Sequence, residues 1–245
     1  MSDFTQLWEK RVLITGGTTG IGRATALLLA SRGTHVLIFG RHEKELNDAM
    51  RDLRGVTSKV HGITADASRI DDVRRVFKTV DEHLGGLDIL INNAALGAEG
   101  LATMKQEDWE YVVRSNLLGY MYCAQEAINR MKSRKQGHIV QIGSMSADER
   151  AKNTSVYVAT KSAIQGFTEA LRKEVNEMGI KVSLIEPGSV GTDMQEESPQ
   201  EQLQKEARGE MLMAQDIARC IEYCLIQPQR CDVVVIQIRP HKQPI

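Results

Sequence analysis

The feature that most constrains this chain is a regular alternation of short, β-branched apolar runs with longer amphipathic stretches. Continuous apolar runs are typical of strands buried on both faces, which favours a parallel sheet between two layers of helices. The pattern predicts strands at 11–15, 34–39, 60–64, 87–92, 138–142, 181–185 and 232–238. It predicts helices at 23–31, 43–53, 70–84, 107–131, 156–178 and 214–226. No linker interrupts the alternation, so we expect one α/β domain over residues 1–245, with a doubly wound, seven-stranded parallel sheet and helices on both faces.

Composition excludes several other classes of protein. The 31 Lys and Arg residues are balanced by 32 Asp and Glu residues, which is untypical of a protein that binds nucleic acid by phosphate attraction. Aromatic residues make up only 4% of the chain, too few for a base-stacking platform. No apolar run is long enough to cross a bilayer, and residues 1–11 lack the apolar core of a secretion signal. We therefore expect a cytoplasmic protein that binds neither nucleic acid nor membrane.

The four cysteines are typical of free thiols in a reducing compartment. Cys220 and Cys224 share one face of a predicted helix. A structural metal site needs about four ligands, however, and the nearest histidine along the chain, His241, lies in the C-terminal tail. We expect no metal site.

A glycine-rich segment, T-G-G-T-T-G-I-G over 15–22, joins the first predicted strand to the first predicted helix. Glycines permit a tight turn and let the backbone approach a pyrophosphate, which the amino-terminal end of a helix attracts. The spacing differs from the G-x-G-x-x-G of the usual dinucleotide-binding turn, and the G-K-S/T of nucleoside triphosphatases is missing. We expect a Rossmann-like nucleotide site with contacts from Gly16, Thr18, Thr19, Gly20, Ile21 and Gly22.

This T-G-x-x-x-G-I-G turn resembles that of the short-chain dehydrogenase/reductase family, and the resemblance extends from residue 12 to about residue 236. Further landmarks stand at the family's spacings: N-N-A-A at 92–95, Asn116, Ser144, Tyr157-x-x-x-Lys161 and P-G at 187–188. One departure is Ala95, where the family more often has glycine; we expect its methyl group to have a small effect. The resemblance implies an NAD(P)-dependent oxidoreductase whose coenzyme contacts include Asp66, Ala67, Asn93, Ala94, Tyr157, Lys161, Pro187, Gly188, Val190 and Thr192.

The end of the second predicted strand bears on the choice of coenzyme. An acid that binds ribose is expected about twenty residues past the glycines, but residues 39–42 read F-G-R-H, and Glu43 and Glu45 are expected to face solvent. Arg41 can pair with a 2′-phosphate in a fork geometry, and the resemblance agrees. We therefore expect NADP(H) to be preferred over NAD(H). Alternatively, Arg41 is an exposed residue that begins a helix, Asp66 caps a helix, and Asn93 braces the sheet.

Tyr157 and Lys161 lie four residues apart on one predicted helix and so share a face. An ammonium about 4–5 Å from a phenol, at an effective dielectric constant of ~20, favours the phenolate by roughly 3–4 kcal/mol. This attraction predicts a lowered pKa for Tyr157. By resemblance, Tyr157 transfers the proton, Lys161 tunes it and binds ribose, Ser144 orients the substrate, and Asn116 helps to hold a water relay to Lys161. A G-x-S-x-G nucleophile elbow around Ser144 is excluded, because positions 142 and 146 are not glycine.

Three functions remain open at this point. The first is an NADP(H)-dependent oxidoreductase that interconverts a carbonyl and a secondary alcohol. The second is a 3-oxoacyl thioester reductase, although residues 235–240 lack the glycine-rich ending of many acyl-carrier-protein reductases that the chain resembles. The third is a non-catalytic coenzyme-binding sensor or scaffold.

The segment 189–213 has two interpretations. It is either a mobile substrate lid that contacts substrate through the methionines near 211–213, or a solvated loop over a small core. The two long helices at 107–131 and 156–178 resemble those through which family members pair. We therefore expect a homo-oligomer, either a dimer or a tetramer.

Overall fold

A computed structural model describes residues 5–195 and 197–243. Its strands are β1 (Arg11–Thr15), β2 (His35–Gly40), β3 (Val60–Thr64), β4 (Ile89–Asn92), β5 (Gly137–Ile142), β6 (Ile180–Pro187) and β7 (Val235–Ile238). Within the described residues they form one parallel sheet in the order β3-β2-β1-β4-β5-β6-β7. From β1, the strands β2 and β3 extend the sheet toward one edge. The strand β4 then pairs with the other side of β1, and β5, β6 and β7 extend the sheet toward the opposite edge. The predicted doubly wound, seven-stranded parallel sheet is confirmed.

Helices cover both faces of this sheet. They are α1 (Gly20–Ser31), α2 (Glu43–Val56), α3 (Ile70–Leu84), α4 (Gln106–Val113), α5 (Gly119–Met131), α6 (Ser146–Glu149), α7 (Ser155–Val175), α8 (Pro199–Arg208) and α9 (Ala214–Ile226). Alternate strand residues point to opposite faces. Val12 and Ile14 of β1 therefore pack in one layer with α1, α2 and α9, whereas Leu13 packs in the other layer with α3, α5 and α7.

The helix predicted at 107–131 contains an irregularity that its sequence pattern does not indicate. A π-helical segment, Arg114–Leu118, joins α4 to α5. Such wide turns occur mostly as single insertions in α-helices, frequently at functional sites. The short helix α6 and the helix α8 were not predicted, and α1 begins at Gly20 rather than at residue 23. The expectations for a domain over 1–245 and for the N-terminus include residues 1–4, 196 and 244–245, which lie outside the described residues.

No helix within residues 5–195 and 197–243 combines the length and the apolar character needed to cross a bilayer. In that same part of the chain, no group of histidine, cysteine or acidic side chains is arranged to hold a metal ion.

Candidate active site

A cleft of about 490 Å³ opens at the carboxyl ends of the strands, beside the point between β1 and β4 where the strand order reverses. Doubly wound sheets bind their ligands at such switch points. Of the sequence-predicted residues, Gly22 and Asn116 lie outside the lining of the cleft. The others line it: Gly16, Thr18, Thr19, Gly20, Ile21, Arg41, Asp66, Ala67, Asn93, Ala94, Ser144, Tyr157, Lys161, Pro187, Gly188, Val190 and Thr192.

The glycine positions of the turn at 15–22 leave little space for a side chain. Gly16 and Gly20 have positive φ angles of 61° and 48°, which glycine adopts at little cost. A β-carbon on Gly16 would lie 2.9 Å from the Cα atom of Ala94. One on Gly22 would lie 2.1 Å from the carbonyl oxygen of Gly16. Gly22 thus packs against the backbone of Gly16 and does not line the cleft.

Hydrogen bonds fasten this turn to the end of β4. The side-chain amide of Asn93 donates to the backbone oxygens of Thr15 at 3.1 Å and Gly16 at 3.0 Å. The Thr15 hydroxyl accepts from the backbone nitrogens of Asn93 at 2.9 Å and Ala94 at 2.8 Å. The side chain of Asn93 therefore braces the sheet, as the alternative interpretation held, while the residue also lines the cleft.

Two features of the cleft fit a phosphate-bearing nucleotide. No side chain caps α1, and its first turn carries no acidic residue, so its amides and positive dipole end are available to an anion. The Ser115 hydroxyl, whose residue is 6% exposed and lines the cleft, has no hydrogen-bond partner among the described residues. A buried hydroxyl without a partner is costly, and a bound nucleotide would give it one.

Three predicted catalytic residues meet at the end of the cleft bordered by β5 and α7. Tyr157 and Lys161 lie on α7, and Ser144 follows β5. The Nζ atom of Lys161 lies 5.7 Å from the centre of the Tyr157 ring and donates to the backbone oxygen of Ile142 at 2.9 Å. The Ser144 side chain lies close enough to the Tyr157 phenol to lower its pKa. These groups form one polar cluster at the carboxyl ends of the central strands.

Burial governs the pKa values of this cluster. It raises the pKa of Tyr157, and the nearby Ser144 side chain offsets this only in part. Burial also lowers the pKa of Lys161 to about 8, against the charge of Glu186, which raises it. The predicted lowering of the Tyr157 pKa is therefore wrong for this state. The phenol loses hydration, and the ammonium is held at a backbone carbonyl rather than at the phenol oxygen.

Asn116 lies in the π-helical segment behind the cleft. Its side-chain oxygen accepts from the backbone nitrogen of Leu96 at 2.8 Å, and its side-chain nitrogen donates to the Leu96 oxygen at 2.8 Å. The same nitrogen lies 3.4 Å from the Thr160 hydroxyl oxygen. The side chain thus clamps the loop after β4, and both of its polar atoms are engaged there rather than at Lys161.

At the opposite end of the cleft, Arg41 and Asp66 meet through Tyr111 of α4. The Tyr111 hydroxyl donates to Oδ2 of Asp66 at 2.7 Å, and Nη1 of Arg41 donates to the hydroxyl oxygen at 3.0 Å. The other oxygen of Asp66 accepts from the backbone nitrogen of Ser68 at 2.9 Å. Asp66 therefore stabilises the turn before α3, a role similar to the helix cap given above as its alternative. It also lines the cleft.

Two residues at this end of the cleft have positions or contacts that the sequence did not predict. Glu45 lines the cleft, so the expectation that it faces solvent is wrong. It lies in the first turn of α2, which begins immediately after Arg41 and His42 and so keeps Glu45 beside the cleft. Tyr111 was not predicted, because its partners are 45 and 70 residues away along the chain and no motif marks it.

The segment 189–213 borders the cleft, although residue 196 lies outside the described residues. A capping box between Ser198 and Glu201 begins α8. The side-chain amide of Gln202 on this helix donates to the backbone oxygen of Thr192 at 3.1 Å. The helix is thereby attached to a residue that lines the cleft.

The methionines of this segment are not placed as expected. Met211 is only 4% exposed and packs away from the cleft, and Met213 does not line it either. A parallel bridge between Val190 and Leu212 turns this part of the chain toward the core. Met194 lines the cleft instead, 45% exposed at its mouth.

A doubly wound sheet with a glycine-rich turn at its switch point defines a nucleotide-binding α/β protein. A family model described as short chain dehydrogenase matches residues 10–203. An oxidoreductase of Staphylococcus epidermidis is 34% identical over 233 residues, which cover 95% of this chain and 97% of the relative. An oxidoreductase of Staphylococcus aureus is 34% identical over 96% of this chain and 99% of its own. The chain belongs to the short-chain dehydrogenase family and is an oxidoreductase.

Solved structures agree with this assignment. A variant of actinorhodin polyketide ketoreductase with NADPH superposes with a TM-score of 0.86 at 27% identity, over 96% of this chain and 97% of that chain. A short chain dehydrogenase from Burkholderia cenocepacia in complex with NADP gives a TM-score of 0.85 at 27% identity, over 96% and 98%.

Proposed function

We propose that the chain is an NADP(H)-dependent oxidoreductase that interconverts a carbonyl and a secondary alcohol, with Tyr157 as general acid and base. The observation that carries this proposal is the cluster of Ser144, Tyr157 and Lys161 in the same cleft as the glycine-rich turn. The coenzymes named for the two similar structures support the choice of NADP(H).

The proton chemistry favours reduction of a carbonyl. Because burial raises the pKa of Tyr157, the phenol keeps its proton at neutral pH and can give it to the substrate oxygen. The Ser144 hydroxyl, beside the phenol, can donate to the same oxygen as negative charge develops there. Lys161, with a pKa of about 8, is mainly protonated at pH 7 and stabilises the phenolate that remains. The bound nicotinamide would supply the hydride.

The proposed coenzyme contacts divide along the cleft. The glycine-rich turn and the amino-terminal end of α1 would hold the pyrophosphate. Arg41 would bind a 2′-phosphate, and Asp66 would lie at the adenine. Val190 and Thr192 would lie at the carboxamide of the nicotinamide. Asn116 would act as a positioning residue through its clamp on the loop after β4.

A 3-oxoacyl thioester or related acyl ketone is the second candidate substrate class. The similarity to a polyketide ketoreductase favours it. The apolar side chains of Leu96 and Met194, which line the cleft, also suit an acyl chain. The tail at 235–240, without a glycine-rich ending, argues against an acyl-carrier-protein reductase.

A substrate panel tests the proposal. NADPH oxidation is followed by absorbance with ketones, sugars, steroids and acyl thioesters, each also with NADH. We expect consumption of NADPH with at least one carbonyl. Tight binding of NADPH with no consumption across the panel would instead support the coenzyme-binding sensor or scaffold. The dimer or tetramer and the cytoplasmic location remain predictions, and light scattering after gel filtration measures the first.

A further inference from the structure

Tyr111 carries a network that the proposed reaction does not use. It lies half-buried on α4 and does not itself line the cleft. Its hydroxyl contacts both Arg41 and Asp66, and the guanidinium carbon of Arg41 lies 5.7 Å from the centre of its ring. One side chain behind the cleft therefore contacts both polar residues proposed for the adenosine end.

The directions of these hydrogen bonds are fixed by chemistry. A phenol has one proton, and a guanidinium can only donate. The Tyr111 proton therefore goes to the Asp66 carboxylate, and the hydroxyl oxygen accepts from Arg41. Donation to a carboxylate polarises the hydroxyl and makes its oxygen a better acceptor. The carboxylate thus strengthens the hold on Arg41 without pairing with it directly.

The arrangement leaves Arg41 ready for an anion. Only its Nη1 atom is engaged in a hydrogen bond, and no partner is found for Nε or Nη2 among residues 5–195 and 197–243. Nε and Nη2 form one edge of the guanidinium fork, which matches two oxygens of a phosphate. An exposed arginine otherwise samples many rotamers, so holding one edge reduces the entropy lost when the other edge binds.

We propose that Tyr111 is a positioning residue for coenzyme selectivity, which holds Arg41 for the 2′-phosphate of NADP(H). This inference rests on the proposed function, because it requires NADP(H) to bind in the cleft. Tyr111 acts on the 2′-phosphate through Arg41, whereas Asp66 keeps its hydrogen bond from the backbone nitrogen of Ser68 when the Tyr111 hydroxyl is removed. The main contribution of Tyr111 therefore goes to ligands that carry a 2′-phosphate.

The test is Tyr111→Phe, which keeps the ring and removes the hydroxyl. We expect the KM for NADPH to rise about three- to ten-fold, the range that loss of one hydrogen bond allows. The KM for NADH and the kcat with either coenzyme should change less than two-fold. Tyr223→Phe is the matched control, since Tyr223 is 54% exposed on α9, and it should change neither constant. Equal changes for both coenzymes, or none, would overturn the proposal.

A binding measurement separates this inference from the proposed function. Calorimetry compares adenosine 2′,5′-bisphosphate with adenosine 5′-monophosphate, which differ only in the 2′-phosphate, and requires no turnover. If the unaltered protein prefers the bisphosphate and Tyr111→Phe keeps that preference in full, Tyr111 has no such role and the coenzyme assignment stands. If the unaltered protein shows no preference, both fail. In an Arg41→Ala background, Tyr111→Phe should have no further effect on the preference, because the two residues act as one unit.

Discussion

Lys161 and Tyr120 donate to the same acceptor, the backbone oxygen of Ile142, at 2.9 and 3.0 Å. The ammonium is therefore not the only donor for this buried carbonyl. Lys161 is 3% exposed, and burial lowers its pKa from 10.5 to about 8. Its charge is thus kept in the core at a cost to folding, beside the phenol that the proposed reaction uses.

We predict that Lys161→Met stabilises the fold while abolishing turnover. At pH 7 the native state holds a charged group that the unfolded chain hydrates better, and at ~1.4 kcal/mol per pKa unit this costs about 3 kcal/mol. Methionine fills a similar volume, and Tyr120 still satisfies the Ile142 oxygen. The free energy of unfolding at pH 7, measured with urea, should rise by ~1–3 kcal/mol.

The control for this variant is Lys173→Met, at an exposed position on the same helix. It should leave both stability and turnover close to their original values. A Lys161→Met protein that is less stable than the original would show that the ammonium contributes to folding. Retained turnover would remove Lys161 from the proposed cluster.

We predict that Tyr157→Phe binds NADPH nearly as before but loses turnover at least a hundred-fold, the usual scale for loss of a general acid. The ring stays in place and only the proton donor is lost. Stopped-flow absorbance and calorimetry measure the two properties separately. Tyr122→Phe, on α5 outside the cleft lining, should be active. Turnover within ten-fold of the original in Tyr157→Phe would rule out its role as the acid.

We predict that Arg41→Ala raises the KM for NADPH about ten-fold or more and changes that for NADH little, since charge-assisted hydrogen bonds are worth ~1.5–3 kcal/mol. Arg51→Ala, at an exposed position on the helix α2 that follows Arg41, is the matched control. Steady-state kinetics with both coenzymes measure the difference. Parallel changes in both KM values would mean that Arg41 acts on the shape of the cleft and not on the 2′-phosphate.

We predict that His138 contributes to loss of stability in acid. Burial and the charge of Lys181 lower its pKa from 6.5 to about 3, so below pH 6.5 the unfolded chain takes up a proton that the native state does not. Stability therefore falls as pH falls from 6.5 toward 3, by up to ~1.4 kcal/mol per pH unit from this residue. His138→Gln should remove that part of the slope in urea unfolding between pH 7 and 5.

The exposed His241 supplies the comparison. His241→Gln should keep the slope of the unaltered protein. Burial and the charge of Lys181 keep His138 neutral. The Ser183 hydroxyl donates to the Val233 oxygen at 2.6 Å, so the histidine donates to Ser183 from Nε2 at 2.9 Å. Equal slopes for the two glutamine variants would contradict the prediction.

The sequence was most informative where the signal is local. The buried strands follow from apolar runs, and the turn at 15–22 follows from glycines that close contacts require. The helix α8 also had a readable signal, Ser198 followed by Pro199 and Glu201, which is a capping box with proline in the first turn. The pattern of polar residues around it obscured this signal.

Other properties depend on the fold as a whole. The pKa of Tyr157 is set by burial, which spacing along a helix does not measure. Tyr111 joins Arg41 to Asp66 only because α4 passes the ends of β2 and β3. The same holds for Asn116, whose partner Leu96 lies 20 residues earlier in a loop. Such contacts join distant parts of the chain and leave no periodic trace.

The π-helical segment at Arg114–Leu118 places one additional residue between Tyr111 and α5 without turning Tyr111 away from Arg41. An α-helix advances about 100° per residue, and a π-turn spreads one turn over an additional residue. Deleting one residue from this segment would therefore restore regular winding and leave Tyr111 in nearly the same rotational phase relative to α5. The helix would become shorter by one residue while Arg41 kept its partner.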